Sequence, residues 1–233
     1  RDQRRTKPVI LLSEFTIYYQ NFRGLKTKLN NLQLAAQLNN NEVIIGTETW
    51  LDDSVNDGEL FDSRYIVCRR DRASTPLGSK KGGGVLIAVS RAIDSSRVTK
   101  WESDAEDLWV KLKTHSGRGD LYICAAYLPP PVQLGPLDSI LDNVDAVIES
   151  TGGDVIIAGD FNLGFIDWST DDALSNSPCT TARNFANRLG YTLVDFMSSN
   201  SIKQINTVKN CYNRTLDLIL CNFHGGSVSE CKN

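Results

Sequence analysis

At four points in this 233-residue sequence an oxygen-bearing polar side chain ends or interrupts an apolar run. Val155-Ile156-Ile157-Ala158-Gly159 leads into Asp160-Phe161-Asn162, and Val43-Ile44-Ile45-Gly46-Thr47 leads into Glu48. Phe15-Thr16-Ile17-Tyr18-Tyr19-Gln20 leads into Asn21, and Asp217 lies between Leu216 and Leu218. A carboxylate in such surroundings is costly unless it has a partner or a cation. Each residue alone also fits a plain role: Asp160 as a turn or cap, Asn21 as a turn residue before Gly24, Glu48 as a solvated strand end. Together they form the oxygen-rich set that a hard divalent cation takes. Mg²⁺, with Mn²⁺ as the alternative, binds through one or two carboxylates, water and substrate phosphate.

The elements that must position these groups alternate along the chain. Phe15 to Tyr19, Gly84 to Val89, Leu108 to Leu112, Leu121 to Tyr127 and Leu216 to Leu220 read as strands. The short β-branched runs at Val43 and Val155 read as strands buried on both faces. Leu25, Leu29, Leu32 and Ala36 recur at helical spacing until Asn39-Asn40-Asn41, and Leu137 to Ile148 and Thr180 to Leu189 read as helices. This alternation predicts one layered α/β domain over residues 13–233, preceded by a basic lead-in over residues 1–12. The chain opens on Arg1 and its only methionine is Met197, so the expectation is an excerpt of a longer product, incomplete at its C-terminus.

Composition narrows the chemistry. A formal charge of −3 rules out binding by bulk positive charge, so any nucleic-acid contact must be local. Arg69-Arg70-Asp71-Arg72 and Lys80-Lys81 could line a DNA groove or be solvated loop charges. No apolar run approaches the roughly 18 residues that cross a bilayer, so no membrane partner is expected. The six cysteines include no Cys-x-x-Cys pair and suit reduced thiols, which points to an intracellular location. His115 and His224 are the only histidines, which weighs against a zinc hydrolase; P-loop, dinucleotide and nucleophile-elbow motifs are missing.

The order Gln20-Asn21, Glu48-Thr49-Trp50, Gly82-Gly83-Gly84-Val85, Tyr127-x-Pro129-Pro130, Gly159-Asp160-Phe161-Asn162 and Thr215-Leu216-Asp217-Leu218 resembles the endonuclease/exonuclease/phosphatase superfamily. Gln20 to Leu25, Glu48 to Leu51, and Asp160-Phe161-Asn162-Leu163 followed by Ile166-Asp167-Trp168 most resemble the endonuclease domain of non-LTR (LINE-type, jockey-like) retrotransposons. The resemblance implies a four-layer sandwich of two mixed β-sheets flanked by helices, and a Mg²⁺-dependent phosphodiesterase that nicks DNA. It implies a reverse transcriptase domain in the same parent polyprotein, while the four basic groups of Arg1 to Lys7 point to a nuclear address. By position, Asn21 and Glu48 match the metal site, Asp160 the residue that prepares the attacking water, and Asn162 and Tyr127 donors to the phosphate. Asp217 matches the acid that orients a catalytic histidine.

Two departures follow. Arg23 stands where repair-type relatives carry an acid; it cannot ligate metal but could contact a phosphate. The family's closing Ser-x-His or Asp-His motif is missing, since His115 lies in an expected turn and His224 only seven residues after Asp217. The sequence-based expectation is therefore a nicking endonuclease whose excerpt is weak or inactive. A same-fold inositol phosphate phosphatase or sphingomyelinase, and a non-catalytic remnant that binds DNA, are the alternatives.

Overall fold

The computed structural model describes residues 16–39, 41–72, 82–116, 119–170, 179–224 and 226–230. The basic lead-in, the strand residue Phe15, Lys80-Lys81 and Cys231 lie outside them. Along the chain the elements are β1 (Ile17–Asn21), α1 (Leu29–Asn39), β2 (Val43–Thr47), α2 (Asp57–Leu60), β3 (Tyr65–Arg70), β4 (Val85–Ser90) and β5 (Ser95–Arg97). There follow β6 (Glu106–Ser116), β7 (Gly119–Tyr127), α3 (Leu134–Thr151), β8 (Asp154–Asp160), β9 (Asp167–Thr170), β10 (Thr180–Arg183), α4 (Arg188–Ser199), β11 (Lys203–Gln204) and β12 (Asp217–Cys221).

These strands build two mixed sheets. One has four strands in the order β1-β2-β4-β3; the other has eight in the order β5-β6-β7-β8-β12-β11-β10-β9. The pairs β1–β2 and β7–β8 are parallel and the remaining ladders antiparallel. Side chains alternate across a strand, so every second residue meets the facing sheet. Val43, Ile45, Val85, Ile87, Ile123, Ala125, Ile156 and Ala158 accordingly form the layer between the sheets. Leu137, Ile140, Leu141, Val144 and Val147, the apolar stripe of α3, cover the outer face of the eight-stranded sheet with Leu193 and Phe196 of α4. Leu32 and Ala36 of α1 and Leu60 of α2 cover the four-stranded sheet. The four-layer α/β sandwich expected from the sequence is the architecture observed. Among the described residues no helix is long and apolar enough to cross a membrane.

Three local expectations are corrected. Thr180 to Leu189 is not one helix: Thr180 to Arg183 pair with β9, as suits two adjacent β-branched threonines. The helix begins at Arg188, where the Asn187 side chain accepts a hydrogen bond from Gly190 N–H at 2.9 Å. His115 falls inside β6 rather than in a turn. Nor are Arg69, Arg70 and Arg72 groove-lining or solvated. They turn inward to Asp71, Asp107 and Glu106, at 2.9, 3.0 and 2.7 Å. Cys68, Cys124, Cys179, Cys211 and Cys221 are free thiols, with Cys124 and Cys221 buried.

Candidate active site

The register of the strands carries the polar residues to one mouth of the layer between the sheets. Glu106 of β6 pairs with Tyr127 of β7, Tyr127 with Asp160 of β8, and Asp160 with Asp217 of β12. Paired residues on neighbouring strands share a face, so these four side chains form a row across the eight-stranded sheet. On the facing sheet Asn21, the last residue of β1, pairs with Thr47, the last of β2. Asn21 and Thr47 continue the inward alternation of Ile17, Tyr19, Val43 and Ile45. The apolar runs therefore build the core and hand over to polar chemistry where the strands end.

The facing sheets are joined through Asn21. Its Nδ2 donates to Glu48 Oε1 at 2.9 Å and to Asp160 Oδ2 at 2.7 Å, while its Oδ1 accepts from Arg23 N–H at 3.1 Å. Asp160 is buried, and its second oxygen accepts from Asn162 N–H at 3.1 Å. Burial, then the neighbouring Asp217, and then Glu48 push the Asp160 carboxyl up to about 7, against the two N–H donors that favour its charged form. Asp217 is likewise raised, first by burial, and is opposed mainly by the Tyr19 hydroxyl, which donates to its Oδ1 at 2.6 Å. The Tyr127 hydroxyl is pushed up to about 12 by burial and by Glu48 and Asp160, so it stays a neutral donor at physiological pH.

Glu48, one residue after β2, and Asn162, two residues after β8, hold left-handed backbone, at φ 49° and 53°. Such conformations are uncommon for residues with a side chain and cluster where function over-determines the backbone. Asn162 spends one amide hydrogen on the Leu128 carbonyl at 3.0 Å, which fixes the loop after β8 against the end of β7.

All six residues expected from the sequence thus sit at the ends of five strands around one mouth: Asn21, Glu48, Tyr127, Asp160, Asn162 and Asp217. Sequence reasoning missed Tyr19 and Thr47, whose hydroxyls lie 3.1 Å apart beside Asp217. A tyrosine in an aromatic, β-branched strand reads as core; its place two residues before Asn21, on the same face, was the available signal. The Arg72–Glu106 pair was also missed. It explains part of the glycine triplet, because a Cβ at Gly83, with φ 67°, would stand 2.2 Å from Glu106 Oε2.

The donor set suits a hard cation. Glu48 and the Asn21 carbonyl offer oxygen ligands, and three carboxylates converge on Asn21 and Asp160 with no lysine or arginine ion-paired to them among the described residues. A divalent ion there would offset their mutual repulsion. No group of three or more His, Cys, Asp or Glu side chains placed to hold a metal ion occurs among the described residues, so a cation here would rely on Glu48, the Asn21 carbonyl, water and substrate oxygens.

The site is thus a polar mouth on a two-sheet sandwich, gathering carboxylates, amides and a tyrosine from separate strands. The chain belongs to the endonuclease/exonuclease/phosphatase family, whose model matches residues 17–226. Members of this family are generally hydrolases of phosphoester bonds. No curated protein matches the chain by sequence. Among solved structures, the endonuclease domain of TRAS1, a telomere-specific non-LTR retrotransposon, is similar in fold, with a TM-score of 0.58 at 13% identity over 89% of this chain and 85% of that one. The AP endonuclease LMAP of Leishmania major gives 0.63 at 13% identity over 89% and 78%. The 3' phosphatase NExo of Neisseria, bound to a product DNA hairpin, gives 0.56 at 10% identity over 89% and 86%.

Proposed function

We propose that the chain is a Mg²⁺-dependent phosphodiesterase that nicks DNA, of the kind found in retrotransposon endonuclease domains. The observation that carries this reading is the bridge made by Asn21 between Glu48 and Asp160, which sets a cation-binding carboxylate beside a carboxyl able to accept a proton near pH 7. The choice of DNA over other phosphoesters is supported by the motif order around Asn21, Glu48 and Asp160 and by the fold likeness to the TRAS1 domain.

Hydrolysis of a phosphodiester builds negative charge on the non-bridging and leaving oxygens, so donors and cations must be aimed at that charge in advance. Mg²⁺, held by Glu48 and the Asn21 carbonyl, would supply Lewis-acid stabilisation of that charge. Asp160, its two oxygens fixed by Asn21 and Asn162, takes a proton from the attacking water. The Tyr127 hydroxyl and the second amide hydrogen of Asn162 donate to phosphate oxygens. Asp217, held by Tyr19, keeps Asp160 basic by proximity. DNA is the proposed partner, a nuclear target its location, and a reverse transcriptase in the same polyprotein the consumer of the nick.

Supercoiled plasmid incubated with the chain in Mg²⁺ should be converted to the nicked circle, and Asp160→Asn should slow this on the order of 10²- to 10⁴-fold. Equal rates for the two proteins would overturn the assignment.

A further inference from the structure

Trp50 is 49% exposed although it lies two residues beyond Glu48, at most ~7 Å along the chain. Its placement is tightly held. Trp50 N–H donates to the Gly83 carbonyl at 2.9 Å and Thr49 N–H to that of Gly84 at 3.2 Å, while the carbonyls of Glu48 and Thr49 accept from Gly24 and Leu25 N–H at 2.9 Å. The backbone of Trp50 itself is left-handed, at φ 54°. The indole rests on Gly24, where a Cβ would stand 2.9 Å from Cε3, and Gly24 has φ 95°, so a side chain is disfavoured twice over. The fold thus clamps a large aromatic ring by its backbone and one side and leaves it half in water.

The distribution of exposed apolar groups points the same way. Of the five large ones among the described residues, Leu34 and Tyr191 lie on helices of the outer layers. Trp50 lies in a loop two positions after Glu48, and Phe165 and Tyr212 lie in loops five positions from Asp160 and Asp217. Arg23, exposed and at φ 45°, adjoins the Gly24 that supports the ring, and its charge favours the ionised form of Asp217 at the mouth.

We propose that Trp50 is a stacking platform for the nucleobase next to the phosphate held at Glu48 and Asp160, with Arg23 on the adjoining phosphate. The proposal rests on the reading of the site as DNA-cleaving and adds to it a contact with the base. Stacking on an aromatic face tolerates any base, so this contact gives affinity and register rather than sequence choice.

The test is the affinity of the full chain for two labelled single-stranded oligonucleotides, one with all its bases and one with abasic sugars flanking the central phosphate, with Ca²⁺ replacing Mg²⁺. The wild type should bind the base-bearing strand about 10-fold or more tighter. Trp50→Ala should bring that ratio close to one while binding the abasic strand as the wild type does, and Trp50→Phe should keep most of the ratio. Trp50→Ala retaining the wild-type ratio, or Trp50→Phe losing all of it, would overturn the platform while plasmid nicking by the wild type left the DNA reading intact. Binding to neither strand, together with no nicking, would overturn the DNA reading and the platform with it.

Discussion

Glu106 and Asp160 stand on the same row of the same sheet, two strands apart, and both are buried. Their surroundings are opposite. Glu106 faces the Arg72 guanidinium at 2.8 Å from Nε and 2.7 Å from Nη2, and accepts from Gly84 N–H at 2.5 Å. Asp160 has two N–H donors, and its charged neighbours are Asp217 and Glu48. A carboxylate that serves the fold is neutralised on the spot. One that serves chemistry is kept among like charges, where its proton is held loosely enough to exchange near pH 7.

The largest effect should come from breaking the neutralised side. Glu106→Ala leaves the buried Arg72 cation without its carboxylate, which costs about 3–5 kcal/mol. Urea denaturation should show the midpoint falling accordingly. Asp160→Asn should do the reverse at pH 8, leaving the midpoint level or raising it, because a neutral amide removes repulsion from Asp217 and Glu48. If both variants lost stability alike, the contrast between the two acids would be void.

The second effect concerns pH. The folded Asp160 carboxyl titrates at about 7, above its unfolded value near 4, so the folded state binds the extra proton between those limits. Its stabilising contribution is whole below about pH 4 and is lost as pH rises through 7, a change of up to ~4 kcal/mol. In EDTA the difference in unfolding free energy between Asp160→Asn and the wild type should therefore grow from pH 4 to pH 8 in favour of the variant. A difference independent of pH would place Asp160 among compensated acids such as Glu106.

Smaller again is the response to metal. A cation bound only by the folded state raises stability by about 2.7 kcal/mol at one hundred times its dissociation constant. Mg²⁺ should raise the thermal midpoint of the wild type more at pH 8 than at pH 5, where Asp160 is protonated. Glu48→Gln should abolish the rise, whereas substituting Lys26, at a surface pair with Asp52, should leave it in place.

The same contrast explains what could be read from the sequence. Apolar runs closed by Asp160, Glu48 and Asn21 exposed the strand ends because burial leaves a periodic trace in residue order. A layered α/β domain with helices outside followed from the alternation of such runs, and the two-sheet sandwich from the family resemblance. Partnerships between distant residues leave no such trace. Arg72 and Glu106 are 34 positions apart, and the charge run 69–72 read equally as a DNA groove or as solvated charges, whereas Arg70 and Arg72 turn onto acids of the other sheet. The segment 180–189 misled for a local reason, since the strand-forming threonines and the helix cap at Asn187 lie close enough to blur into one helical period.

Tyr19 is the sharpest case of such a hidden partnership, and it carries the smallest predicted effect. Its hydroxyl bridges Asp217 of one sheet and Thr47 of the other, at 2.6 and 3.1 Å, and it is the donor that opposes the burial of the Asp217 charge. Tyr19→Phe keeps the ring in the core and removes that donor, at a cost of about 1–2 kcal/mol. The sign of its pH dependence follows from which form of Asp217 the bond favours. The hydroxyl stabilises the carboxylate, so its loss raises the folded Asp217 value further, and the penalty is small where Asp217 is protonated in both proteins and larger where it must be charged. Thermal melts of Tyr19→Phe and the wild type at pH 4 and pH 8 should diverge at the higher pH. A gap of equal size at both would mean that the hydroxyl serves Thr47 and the packing between the sheets, and that Asp217 keeps its charge without it.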